Sequence, residues 1–308
     1  MNSPTPSWKP QREIELIAGT PPGGGQDRPA RTLIKIFADE RLVEFPVKLI
    51  NVVGKGGGKA WDYLLERPGD PHVLAISSPP LLTNRFFGVS DYDHAALTPI
   101  ANLYSEYVAF VARADSSITD MPELQRRLGA NAGSVTVSLA TALGTTNHIA
   151  LAQVAMQAGG DVRALSIRVF DSARFAVADV LAGNAEVAAV SAVSAAPEIT
   201  DGQLRPLAVT APKRLGGIFA QAPTLLELAV DCDGGTWRGV LGAPQLSEAQ
   251  RVFWEQTLQA ATRTEQWNAE LDRQFWMSGF LNGAQCAAFL DRERDKLRAA
   301  MTALGLVH

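Results

Sequence analysis

The pattern that most limits what this chain can become is the alternation of short apolar runs with amphipathic ones. The runs EIELIA, VKLINVV, HVLAIS, YVAFVAR, SVTVSLA, AEVAAVSAV, LRPLAVTA and WRGVLGA have the composition of strands. Several are apolar almost throughout, as strands of a parallel sheet covered on both faces must be. Helix-like segments lie between them, which predicts an α/β fold with doubly wound sheets. A length of 308 residues suits two lobes better than one small core. In such sheets ligands sit beyond the carboxyl ends of the strands, so a site is to be sought in the loops that follow them.

Local signals place the helices. Asp120, with Pro122 and Glu123 behind it, has the cap, the first-turn proline and the acid of a helix start. Ser247 and Gln250 form a second capping box. A last helix beginning near Asn282 aligns Cys286, Phe289, Leu290, Leu297, Met301 and Leu304 on one core-facing stripe. The polar start MNSPTPSW is expected to be a loose tail. It lacks a basic segment followed by an apolar one, so the chain reads either as cytoplasmic or as a mature form with a new starting Met. Cys232 and Cys286 are either two separate thiols or one bridge; their spacing does not decide.

The net charge is −4 with both signs interspersed, which argues against a nucleic-acid surface. No apolar run approaches the ~20 residues needed to cross a bilayer.

Three loops that follow strands are rich in groups that bind anions. In GTPPGGGQDRPARTLIKIF, residues 19–37, Gly23, Gly24 and Gly25 bring bare backbone near a ligand. The helix after them adds its positive end. Asp27 caps that helix or faces the ligand. The glycines are consecutive, so this is neither a dinucleotide fingerprint nor a phosphate loop. GKGGGKAW, residues 54–61, repeats the glycine turn, with Lys55 or Lys59 lending a positive field. In the third loop Gly144, Thr145 and Thr146 precede a helix; the hydroxyls either cap it or meet a ligand. His148, one turn in, reads as a hydrogen-bonding wall residue. Ser77 and Ser78 end the strand HVLAIS, on the ligand side.

Catalytic constellations are thin. The four histidines form no metal-binding pair, and no C-x-x-C or G-x-S-x-G occurs. Anion-friendly loops without a nucleophile or metal set favour binding over turnover.

Taken in order, PPGGGQD, GKGGGKAWDYL, LTPIANLYSEYVAFVARADSSITDMPEL, GTTNHIAL, DVLAGNAEVAAVSAVS, GQLRPLAVTAPKRL, APTLLELAVD and GTWRGVLGAP resemble the substrate-binding proteins of tripartite tricarboxylate transporters, the Bug family. The resemblance runs from about Glu13 to Val307 and is strongest to the tricarboxylate-binding branch. It implies a two-lobed periplasmic-binding-protein-like fold, each lobe a mixed sheet flanked by helices, with the ligand cleft between the lobes. Lobe one would comprise residues 9–112 and 234–308, and lobe two residues 113–233. Two crossing stretches, near Val108–Arg113 and Val230–Trp237, would form the hinge.

The resemblance further implies a carboxylate held between loops 22–27 and 141–146, largely by backbone amides and water. The sequence departs from that branch at Gln26, at LATAL and at FDSARFA, where side chains replace an aromatic residue or glycines, so a reshaped pocket is expected. Asp171 in the last of these would repel an anion, pair with a ligand amine, or cap its loop.

The binding set is then Gly23, Gly24, Gly25, Gln26, Asp27, Ser77, Ser78, Thr141, Ala142, Gly144, Thr145, Thr146, His148, Phe170, Asp171 and Ser191, with no catalytic residue, metal or cofactor. The implied protein is a periplasmic monomer. It would deliver a small carboxylate to membrane transporter subunits or a sensor kinase. An enzyme acting on an organic anion and a soluble ligand-sensing regulator are the rival readings.

Overall fold

A computed structural model describes residues 8–140 and 142–307 of the chain. Two sheets share one strand. The first runs β2 (Val47–Asn51), β1 (Ile14–Ala18), β3 (Val73–Ser77), β9 (Gly235–Gly242), β4 (Thr98–Arg113), β10 (Met277–Asn282). The second runs β6 (Ser166–Phe170), β5 (Thr136–Ala140), β7 (Val187–Ser191), β4, β8 (Leu204–Val209). Strand β4 spans 16 residues because it belongs to both. Its residues up to Tyr107 pair with β9 and β10, and those from Val108 pair with β7 and β8. Strands β1, β2 and β3 pair in parallel, as do β5, β6 and β7, whereas every pairing made by β4 or β9 is antiparallel, so both sheets are mixed.

Each sheet is covered on both faces, as its apolar strands require. In the first lobe α1 (Asp27–Asp39) buries Ala30, Leu33, Ile36 and Phe37, the three-to-four spacing of one helix face. Against the same sheet lie α2 (Gly58–Leu65), α3 (Pro80–Phe86), α8 (Glu248–Ala261) and α9 (Glu265–Gln274). In the second, α4 (Met121–Ala130) and α5 (Thr146–Gln157) cover one face, and α6 (Ala173–Leu181) and α7 (Ala192–Thr200) the other. The cap at Asp120 and the boxes at Ser247/Gln250 and Asn282/Gln285 are all formed.

The last helix, α10 (Gly283–Ala303), buries Cys286 and Leu290 in the first lobe. Its final turns cross to the second lobe, where Met301 and Leu304 meet Ile149 and Ala152 of α5. The stripe expected from the sequence is therefore a core stripe, divided between two lobes. Cys232 and Cys286 are separate buried thiols; burial pushes them up to about 11 and about 12. The loose-tail expectation for residues 1–7 lies outside the described residues. Trp8 is already packed edge-on against Phe253 and His72. No described helix is long and apolar enough to cross a membrane.

Leu290 is fully buried beneath the first sheet. Leu290→Ala is expected to lower stability by about 2–5 kcal/mol, read as a shift in the midpoint of urea denaturation.

Candidate functional site

The carboxyl ends of the parallel strands of both lobes open onto one cavity of about 630 Å³, within the usual size range for small-molecule sites. The first lobe contributes the loop after β1, the glycine turn at Gly54–Gly57, and the start of α3 at Pro79 and Pro80. The second contributes the segment from Ala142 to Asn147, Ala173 at the start of α6, and Ser191 at the start of α7.

Of the binding set, Gly25, Gln26, Ser78, Ala142, Gly144, Thr145, Thr146 and Ser191 line this cavity. Thr141 lies outside the described residues. Gly23, Gly24, Asp27, Ser77, His148, Phe170 and Asp171 are not part of the lining, and bonding explains most of these positions. Asp27 is buried and accepts hydrogen bonds from the Gly23 amide (2.8 Å), Arg31 (2.7 Å) and Asn51 (2.9 Å). Burial pushes its carboxyl up, but those bonds outweigh burial and hold it below the ordinary value. It is an internal tie, not a group offered to a ligand. Ser77 is buried beside Gly239. Phe170 lies under the Arg168 guanidinium, and Asp171 faces solvent.

The glycines of the first loop serve close packing as much as ligand approach. Gly23 has φ +80° and gives its amide to Asp27. A Cβ on Gly24 would lie 2.6 Å from the Thr20 side chain. The Gly24 amide is spent on the Pro21 carbonyl. Among the described residues only the Gly25 amide of the three makes no hydrogen bond. Gln26 is a buried strut: its Oε1 accepts the Gly19 amide (2.7 Å) and its Nε2 donates to Ser78 Oγ (3.0 Å). Lys55 pairs with Asp62 on the surface, and neither Lys55 nor Lys59 lines the cavity.

The second lobe is built the opposite way. At the starts of α5, α6 and α7 the side chains of the cap residues Thr145, Ser172 and Ser191 make no hydrogen bond to the first-turn amides of their helices. Thr145 Oγ1 donates to the Ala142 carbonyl (2.9 Å), and Ser191 Oγ bonds Ser194 Oγ (2.7 Å). Three helix starts thus bring unbonded first-turn amides and partial positive charge to one wall. His148 holds this loop from behind. Its buried Nδ1 accepts the Gly144 amide at 2.9 Å, so the ring is neutral with its proton on Nε2.

The charged side chains among the lining residues are Arg238 and Glu106, which the sequence reading did not single out. Arg238, from β9, bonds Glu106 of β4 at 2.6 Å, the Gly25 carbonyl at 3.1 Å and the Trp237 carbonyl at 3.1 Å. Between the lobes Thr236 donates to Thr146 (3.1 Å), both of them lining residues. Phe87 of the first lobe lies against Gly144, where an added Cβ would fall 2.9 Å from its ring. Among the described residues no cluster of three or more His, Cys, Asp or Glu could hold a metal ion.

Two predictions follow from these bonds. Gly25→Val would put its Cβ 2.8 Å from Arg238 Nη2 and push the guanidinium off Glu106. A stability loss of about 1–3 kcal/mol is expected by chemical denaturation. Burial lowers the pKa of His148, and of His94 as well. The unfolded chain takes up these protons near pH ~6.5 while the native state resists, so the stabilisation is complete above that pH and lost below it. The melting temperature should fall between about pH 7.5 and about pH 5.5. His148→Asn keeps an acceptor for the Gly144 amide and should shrink that fall.

The chain is similar in sequence and fold to known proteins. The family model described as Tripartite tricarboxylate transporter family receptor matches residues 43–303. The chain is similar to the "UPF0065 protein in tcbD-tcbE intergenic region" of Pseudomonas sp. (strain P51), 29% identical over 225 residues. That alignment covers 71% of this chain and 64% of the relative, so the match spans just under two thirds of the relative's length. Among solved structures, a TctC solute binding protein from Polaromonas superposes with a TM-score of 0.82 at 24% identity, covering 96% of this chain and 99% of that one. R. palustris Rpa4515 with adipate superposes with a TM-score of 0.81 at 19% identity, covering 97% and 99%. The fold is therefore the two-lobed one of these binding proteins, and the chain belongs to the tripartite tricarboxylate transporter receptor family.

Proposed function

We propose that the protein is a periplasmic solute-binding receptor that captures a small organic carboxylate and presents it to the membrane subunits of a tripartite transporter, without catalysing a reaction. The observation that carries this reading is the wall of three uncapped helix starts facing the first-lobe loop across one cavity. Each start contributes about 0.3–1 kcal/mol toward an anion, and more when partly buried. Family membership and the adipate in Rpa4515 support a carboxylate as the ligand.

Residues 9–107 with 235–308 then act as one body and 108–234 as the other, a boundary on β4 earlier than the 9–112 and 113–233 division expected from the resemblance. The hinge lies where β4 changes partners between Tyr107 and Val108 and where the chain returns near Val230–Gly235. A carboxylate bridging the lobes binds the closed arrangement better than the open one, which is the only way it can shift their balance.

A thermal-shift screen of organic acids against their amides and methyl esters tests the reading. A ligand at about 100 times its Kd adds about 2.7 kcal/mol, a rise in Tm of about 5 °C. The acids should raise Tm and reduce the radius of gyration in small-angle scattering. Equal stabilisation by the neutral analogues would remove carboxylate recognition. An unchanged scattering profile with a bound acid would remove closure.

A further inference from the structure

We propose that the ligand is a monocarboxylate with an apolar or aromatic body, and that Glu106, Phe87 and Leu143 set this choice. The inference rests on the carboxylate-receptor reading above and narrows it. Its basis is the unequal chemistry of the cavity's two walls.

A ligand with two carboxylates needs compensating charge at both ends. The second lobe supplies it through the helix starts at Thr145, Ala173 and Ser191. The first lobe does not. Its one lining cation among the described residues, Arg238, is bonded to Glu106 at 2.6 Å, and its remaining bonds go to the Gly25 and Trp237 carbonyls. Arg238 is 9% and Glu106 18% exposed at the side chain, so the pair is neutral as a unit and held in place. A second carboxylate arriving there meets the Glu106 charge and loses its water without a free cation in return. Two of the three loop glycines have already spent their amides within the loop.

What the cavity offers instead is apolar surface. A single exposed hydrophobic side chain is ordinary on a folded protein, but several gathered at one concave site mark a contact surface. Leu143 is 54% exposed, Val53 50% and Phe87 46%, and all three line this cavity. Leu143 comes from the second lobe and the other two from the first, so apolar surface is offered from both sides of the cavity, and Phe87 lies against Gly144 next to Leu143. Ile149 and Leu297 also line it. An acid seated by its carboxylate on the helix starts would lay its body between these side chains and end beside Glu106.

Isothermal titration with matched pairs tests this: heptanoate against pimelate, and 4-methylbenzoate against terephthalate, each with the neutral amide of the monoacid as control. The monoacid of each pair is expected to bind at least about tenfold tighter than the diacid. In Glu106→Gln, which keeps a hydrogen-bond acceptor for Arg238, the diacid should gain and the gap narrow several-fold. In Leu143→Ser combined with Phe87→Ser, the monoacid should weaken about tenfold from lost apolar burial. Circular dichroism melting of each variant separates these effects from unfolding. A diacid that binds as tightly as its monoacid, or tighter, in the wild type overturns the inference and leaves the carboxylate reading standing. Binding of the amide as tight as that of the acid overturns the carboxylate reading. Absence of binding by any acid overturns both.

Discussion

The site depends on one ion pair that is also a joint of the fold. Tyr104 stands opposite Arg238 and Glu106 opposite Thr236 in the β4–β9 ladder, so Glu106 and Arg238 are diagonal neighbours on one face. Their bond lies on the strand pair beside which the chain passes from one lobe to the other. The same guanidinium holds the Gly25 carbonyl, and so fixes the first-lobe loop to the hinge strands. A pair this poorly exposed adds little net stability, because desolvation offsets most of the attraction. What it supplies is position: with either partner removed, the other is left as a charge without compensation and the loop loses its anchor.

The two lobes solve the same anion problem differently. In the first, the loop after β1 is closed on itself by Asp27, Gln26 and Thr20, which take up most of the amides that a ligand could have used. The loop is stiff and nearly saturated. In the second, the cap side chains bond to neighbours other than their own helix amides, and His148 fixes the loop from its buried side. Attraction for an anion is therefore concentrated on one wall, and the opposite wall governs what else the ligand carries. The contacts of Thr236 with Thr146 and of Phe87 with Gly144 join the two walls.

Much of this was legible in the chain. The apolar runs gave eight strands close to their observed places, because a covered strand must be apolar over its whole length. The caps at Asp120, Ser247 and Asn282 were legible because a cap is a local event within four residues. Two strands were missed for the converse reason. β6 exposes Arg168 and Val169, and β10 is half-exposed and contains Gly279; both are outer strands with one open edge, so neither shows a continuous apolar run. The first half of β4 escaped because its bulges near Pro99 and Asn102 break the strand period.

The sequence by itself determined the fold class, the main loops that meet the cleft and one of the three helix starts that give it its charge, that of α5. Each of these follows from residues near one another in the chain, where period, cap and glycine turn are written. Only the tertiary structure decided which of those groups remain free. Glu106 and Arg238 are separated by 132 positions, and nothing local to either segment shows that the two pair. Gln26 reaches Ser78 across 52 positions, and Asp27 turns inward to Asn51. A polar side chain looks the same in the sequence whether it meets a ligand or a neighbour. The difference is made by pairing at a distance, which the close packing of strands and loops imposes once the lobes have formed.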